Sequence, residues 1–281
     1  MNETAAVNQK ITFQRIFGSV FKLILDLGLL PDYQILTENI WLLTILFFIF
    51  LLAGMVKGFL GIGLPTSAMA LLTLVIEPTT AIALLSLSII TTNGAQYIRC
   101  ESPRHVAKKY WLFGLCIIFS IFITSLFILN IPKSLLLLVI GLALIVFSIT
   151  QMTQKRIPLS NSQVWHMVIG LGAGILGGMS SIWSPPVVMY LLNQNVKKEE
   201  FIGATGFLFF ISSIPLTLGL ALAGVLTVET TIHSFGLVFV VMTGFRIGEW
   251  MRFYVPQEMF RKILLWAFLL MGMRLVALSI V

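Results

Sequence analysis

From Asn39 onward the chain is a succession of apolar runs, most of them as long as a membrane-crossing helix, joined by short polar turns. A helix rises 1.5 Å per residue, so about 20 apolar residues span a hydrocarbon core of about 30 Å. The runs fall near residues 40–58, 64–77, 79–98, 110–130, 133–151, 164–182, 185–195, 200–224, 229–247 and 260–280. Those at 64–77 and 185–195 are too short to cross. The alternating ten-residue stretches of an outer-membrane barrel are not seen. Only 10% of the residues are charged, against about 25% in soluble domains. Eleven acids and eighteen bases among 281 residues cannot cover a soluble surface. The pattern predicts an all-α polytopic membrane protein with about eight full transmembrane helices and two short broken or re-entrant arms. It excludes a soluble enzyme, a nucleic-acid-binding module and a disulfide scaffold.

Residues 1–38 read as an extension. Within it, Ile16, Phe17, Val20, Phe21, Ile24 and Leu27 recur at helical spacing opposite Ser19, Lys22 and Asp26, which predicts an interfacial amphipathic helix over 12–30. No signal peptide is evident there. Residues 39–281 form the membrane domain. The net charge of +7 comes from bases clustered in turns, not from a nucleic-acid-binding face. Placing the loops 99–109, 152–163, 195–200 and 246–262 in the cytoplasm puts twelve of the eighteen bases inside. Both ends of the domain are then outside, and the two halves, about 39–151 and 164–281, run in opposite senses as an inverted repeat. Cys100 and Cys116 have neither CxxC spacing nor an evident partner.

Each short arm follows a Gly/Pro-rich break: Gly58 to Pro65 (GFLGIGLP) and Gly174 to Pro186 (GILGGMSSIWSPP). Aligning Pro65 with Pro186 brings Thr91-Thr92 onto Ser212-Ser213 and Gln96 onto Thr217. Gly/Pro-interrupted segments at matching places in two halves point to a transporter's binding site. A helix that restarts at membrane depth presents unpaired N–H groups and the positive end of its dipole, which suit an anion. Gly61, Gly63, Gly177 and Gly178 would let a ligand approach the backbone. Pro65 and Pro186 fit a first helical turn, where a missing N–H is no loss. The competing explanation is that the glycines only permit close helix packing.

Further polar groups lie in or beside these segments. Lys57 directly precedes the first break and is the candidate counter-charge, or else snorkels to an interface. Ser88, Thr92 and Gln96 share one helix face with Asn93 beside them; Ser212 and Ser213 are their counterparts. Ser180, Ser181 and Ser184 lie within the second break, with Trp183 between them. These hydroxyls and amides could bind oxyanion oxygens or hydrogen-bond between helices. All eleven acids fall in the extension, in loops or near span ends, which disfavours a cation pathway. His105, His166 and His233 are scattered, so no metal site is expected.

The chain resembles the sulfite exporter TauE/SafE family of membrane permeases. The resemblance rests on VKGFLGIGLP (Val56–Pro65), on the helix from Thr79 ending TTNGAQ, on GAGILGGMSSIWSPPVVMYL (Gly172–Leu191) and on EFIGATGFLFFISS (Glu200–Ser213). It covers about residue 40 to the C-terminus and implies transport of sulfite, sulfonates or related organosulfur anions. The expectation is a multi-pass permease of the bacterial cytoplasmic (inner) membrane that moves a small anion by alternating access. It would work without a cofactor, without nucleic acid, and with or without a coupling ion. The alternatives are a membrane-embedded enzyme or assembly factor and an anion channel, with the breaks serving packing. No HExxH, GxSxG or Walker A motif supports an enzyme.

Overall fold

The computed structural model describes residues 40–153, 163–194, 196–251, 253–254 and 257–280. The expected helix over 12–30 and the loop bases Lys155, Arg156 and Arg252 lie outside them. Ten α-helices follow in order: α1 (Ile40–Leu60), α2 (Leu64–Leu72), α3 (Pro78–Ile98), α4 (Pro103–Leu126), α5 (Lys133–Thr153), α6 (Gln163–Ser180), α7 (Ser184–Asn193), α8 (Lys198–Leu222), α9 (Val228–Met251) and α10 (Gln257–Ile280). A short 3₁₀ turn, Ile128–Asn130, joins α4 to α5. Apart from the first turn of α1, the packing described belongs to one compact unit, Thr44–Val281.

Among the described residues seven helices are long and apolar enough to cross a membrane, and α6 adds a shorter apolar helix of 18 residues. With 9 and 10 residues, α2 and α7 reach only about half of a hydrocarbon core of about 30 Å. Proline stands in the first turn of α2, α3, α4 and α7 and marks the start of each. The outward faces carry Trp111, Phe119, Phe239 and Trp266, all exposed in the isolated chain. Such a belt would be an aggregation hazard in water and is the ordinary surface of a helix bundle in lipid. The chain is an integral multi-pass membrane protein.

The two halves repeat each other in inverted orientation. Equivalent helices α5 and α10 pack antiparallel: Arg261 at the start of α10 donates to the carbonyl of Gln151 at the end of α5, and Phe147 faces Phe268. Gly141 and Gly272 cross at closest approach, where a Cβ on either would meet the other's carbonyl at 2.8 and 2.7 Å. Helices α3 and α8 are antiparallel too, with Gln96 against Ile202 and Gly94 against Phe210.

Matching small-residue seams join α1 to α9 and α6 to α4. A Cβ on Gly54 or Gly58 would run into the carbonyls of Val241 and Phe245; one on Gly174 or Gly178 would meet those of Ile117 and Ile121. Without a hydrophobic drive between helices in lipid, such close backbone approach is what holds them. These seams fix the repeat register at 120 residues. Gly54 pairs with Gly174, Gly58 with Gly178, and Pro65 with Pro185. The expected alignment of Pro65 with Pro186 is therefore one residue out. Thr92 matches Ser212, Asn93 matches Ser213, and Gln96 falls on Leu216.

Candidate functional site

Both breaks open on the same backbone turn. After α1, the Gly61 N–H closes on the Lys57 carbonyl at 2.8 Å and the chain turns left-handed, with φ of 81° at Gly61 and 97° at Gly63. After α6, the Ser181 N–H closes on the Gly177 carbonyl at 2.7 Å and Ser181 turns left-handed, with φ of 57°. This conformation costs a non-glycine residue about 1–2 kcal/mol. Ser180 fastens the second break: its hydroxyl donates to the Leu176 carbonyl and accepts from the Ile182 N–H. The residues before α2 and α7, Gly63 and Trp183, give no side-chain cap, and Pro65 and Pro185 stand in the first turns. The opening N–H groups of both short helices therefore have no partner within their own helix.

The two breaks meet. Thr66 Oγ1 in α2 lies 3.4 Å from Ser184 Oγ in α7, and both side chains are buried. Two helix N-termini thus approach one another where the halves join. Lys57, in the last turn of α1, is 1% exposed. Its Nζ donates to Asn93 Oδ1 on α3 at 2.6 Å, while Asn93 Nδ2 donates to the Ile89 carbonyl and so fixes the amide's orientation. Nζ also lies 5.9 Å from the centre of the Phe209 ring, which meets Trp183 edge to face. Among the described residues no ion pair is made by Lys57. A buried ammonium with one hydrogen bond and no carboxylate is costly unless an anion completes it. Full burial is also incompatible with snorkelling.

Beside Lys57 is a cavity of about 330 Å³, lined by Leu60, Gly61, Ile62, Gln96, Arg99, Cys100, Phe201, Ile202, Thr205, Phe245 and Glu249 as well. Of the expected site residues it brings together Lys57, Gly61 and Gln96. Gln96 Nε2 donates to the Ile202 carbonyl and to Thr205, and its Oε1 has no partner. Among the described residues three buried donors also lack a partner: Ser88 Oγ, Ser181 Oγ and Trp183 Nε1. Thr92, Ser212 and Ser213 spend their hydroxyls on their own helices, on the carbonyls of Ser88, Leu208 and Phe210. Gly177 and Gly178 lie inside α6, where a Cβ would meet the Trp183 ring at 2.7 Å and Thr124 at 2.6 Å. That geometry gives them a packing role. Pro186 lines an apolar groove of α5, α6 and α7. The sequence reading left out Arg99, Thr205, Phe209 and Glu249; Arg99 counted there only as a loop base and Glu249 only as an acid near a span end.

Residues 46–275 match the family described as Sulfite exporter TauE/SafE. The chain belongs to this family. No curated protein and no solved structure matches it. TauE/SafE proteins are membrane transporters, and the broken-helix pair with a buried lysine lies inside the matched span.

Proposed function

We propose that this TauE/SafE protein carries a small anion, sulfite or an organosulfonate or a related organic acid, across the bacterial cytoplasmic membrane by alternating access. The observation that carries the reading is Lys57: a fully buried ammonium, hydrogen-bonded among the described residues to Asn93 alone, next to a helix break that meets its inverted counterpart. One anion would complete this arrangement, taking charge from Lys57 and hydrogen bonds from the opening turns of α2 and α7. The unpartnered Ser181 and Trp183 donors add capacity for oxyanion oxygens. Rocking of the two inverted halves about this point would expose it alternately to the two faces.

The test is a stabilisation screen of purified protein against sulfite, sulfate, thiosulfate, taurine, sulfoacetate and acetate, followed by counterflow in proteoliposomes with the best binder. Saturable counterflow of a sulfur oxyanion or sulfonate supports the reading. A conductance without saturation or counterflow indicates a channel. Failure of every anion to raise the melting temperature removes the reading.

A further inference from the structure

The cavity beside Lys57 also holds an ion pair that the site as described does not use. Arg99, the C-cap of α3, donates from Nη1 to Glu249 Oε1 of α9 at 3.3 Å, and both residues line the cavity. The contact is single, not a two-pronged fork, and the side chains are 44% and 33% exposed. An exposed pair of this kind contributes little to stability, so it is a poor structural clasp. Glu249 sits in the last turn of α9, where the helix dipole disfavours a carboxylate. Its other oxygen, Oε2, is 3.4 Å from Arg246. The carboxylate can therefore let go of Arg99 and keep a cationic partner. Lys57 and Arg99 are the two cations of the cavity lining, and Glu249 is its one carboxylate among the described residues.

We propose that Arg99 is an outer anion station on the path to Lys57, and that the Glu249 carboxylate is its resting occupant, displaced by the arriving substrate anion. This rests on the anion-transport reading and adds to it a second binding position and a built-in competitor. The substrate would exchange with Glu249 at Arg99, Glu249 would stay on Arg246, and the anion would then pass inward to Lys57. A competitor of this kind keeps Arg99 from holding anions too tightly to release them.

The two roles for the pair predict different signs. As a station, Glu249→Gln removes the competitor, and affinity should rise by about two- to fivefold, the range of an exposed ion pair. Arg99→Ala removes the station, and affinity should fall by at least about fivefold. Arg99→Ala with Glu249→Gln should bind like Arg99→Ala alone. As a mere clasp between α3 and α9, both single variants would shift affinity in the same direction. Binding is measured by titrating the full-length protein with whichever of sulfite, sulfate, thiosulfate, taurine, sulfoacetate or acetate stabilises wild type most, alongside the melting temperature without anion. Opposite shifts with unchanged melting support the station. Same-direction shifts, or no shift, overturn it and leave the transport reading intact. If no panel anion binds wild type, both fall. If Arg99→Ala does not fold, Glu249→Gln decides alone: tightening supports the proposal, and unchanged or weaker binding overturns it.

Discussion

Lys57→Met separates a binding lysine from a structural one, because the two roles move stability in opposite directions. The substitution keeps an unbranched apolar side chain one atom shorter than lysine and removes the ammonium. In the anion-free protein the variant loses one hydrogen bond, Nζ to Asn93 Oδ1 at 2.6 Å. Leaving that amide oxygen unpaired costs about 1–3 kcal/mol. Against this stands the ammonium's own desolvation. Nζ is buried and makes no ion pair with a described carboxylate, so removing it relieves a penalty of about several kcal/mol. The variant should therefore melt at or above the wild-type temperature when no anion is present. With anion the order reverses. A charge-assisted hydrogen bond contributes about 1.5–3 kcal/mol, which is about ten- to a hundredfold in affinity. The anion-dependent rise in melting temperature, which follows RT ln(1 + [L]/Kd), should then nearly vanish at concentrations that stabilise wild type. The assay is one set of melts with and without sulfite or the best binder, together with a titration. A variant that melts well below wild type yet binds anion with unchanged affinity would refute the reasoning, since Lys57 would then be a structural donor to Asn93.

Three further outcomes follow from the same geometry. Gly58→Ala drives a Cβ into the Phe245 carbonyl, which is backbone and cannot yield, so melting and flux should fall together by about 1–3 kcal/mol or more, whereas Gly61→Ala meets open space and bears only the strain of its φ of 81°, about 1–2 kcal/mol; melts of the two variants side by side check the order. Ser181→Gly relieves a left-handed serine with an unpartnered hydroxyl, so the anion-free protein should melt at or above wild type while anion affinity drops, read by the same melts and titration. In a background without Cys100 and Cys116, single cysteines at Arg104 and Lys197 should react with an impermeant thiol reagent only from the cytoplasmic side, and labelling of either in sealed right-side-out vesicles contradicts the orientation.

The helices were legible in the sequence because membrane spans announce themselves by length and apolarity, and proline punctuates their starts. The expected run at 200–224 is α8 at Lys198–Leu222, and that at 79–98 is α3 at Pro78–Ile98. The pairing of the halves was legible only to within a residue. With Pro185 and Pro186 adjacent, sequence offers two registers, and the backbone decides: Gly61 and Ser181 share the left-handed turn, and Gly58 and Gly178 share the close crossing. Hydroxyl positions were the least legible. Thr92 and Ser212 sit where helical spacing puts them, yet a hydroxyl in lipid satisfies itself on the carbonyl one turn back unless something better is near. Arg99 with Glu249 could not be paired in advance, because residues 150 positions apart carry no local signal of contact.

The correct register also explains why an inverted repeat can hold a single charge. Under the 120-residue offset Lys57 corresponds to Gly177, and Gly63 corresponds to Trp183. In the first half the long side chain is on the helix and the small residue precedes the short arm; in the second half the order is exchanged. Space that a side chain at 177 would fill is taken by the Trp183 ring, 2.7 Å from where a Cβ would stand. Lys57 Nζ and the Trp183 ring each lie 5.9 Å from the centre of the Phe209 ring. A lysine in both halves would bring two unpaired ammoniums toward one axis in a medium of low dielectric, where their repulsion is poorly screened and their desolvation is counted twice. The exchange keeps one cation and supplies an uncharged, unpartnered indole donor from the other half, an arrangement that would suit the single small anion of the proposed function. Under the proposed mechanism, backbone symmetry would supply the two breaks about which the halves rock, and side-chain asymmetry would set the charge of what they hold.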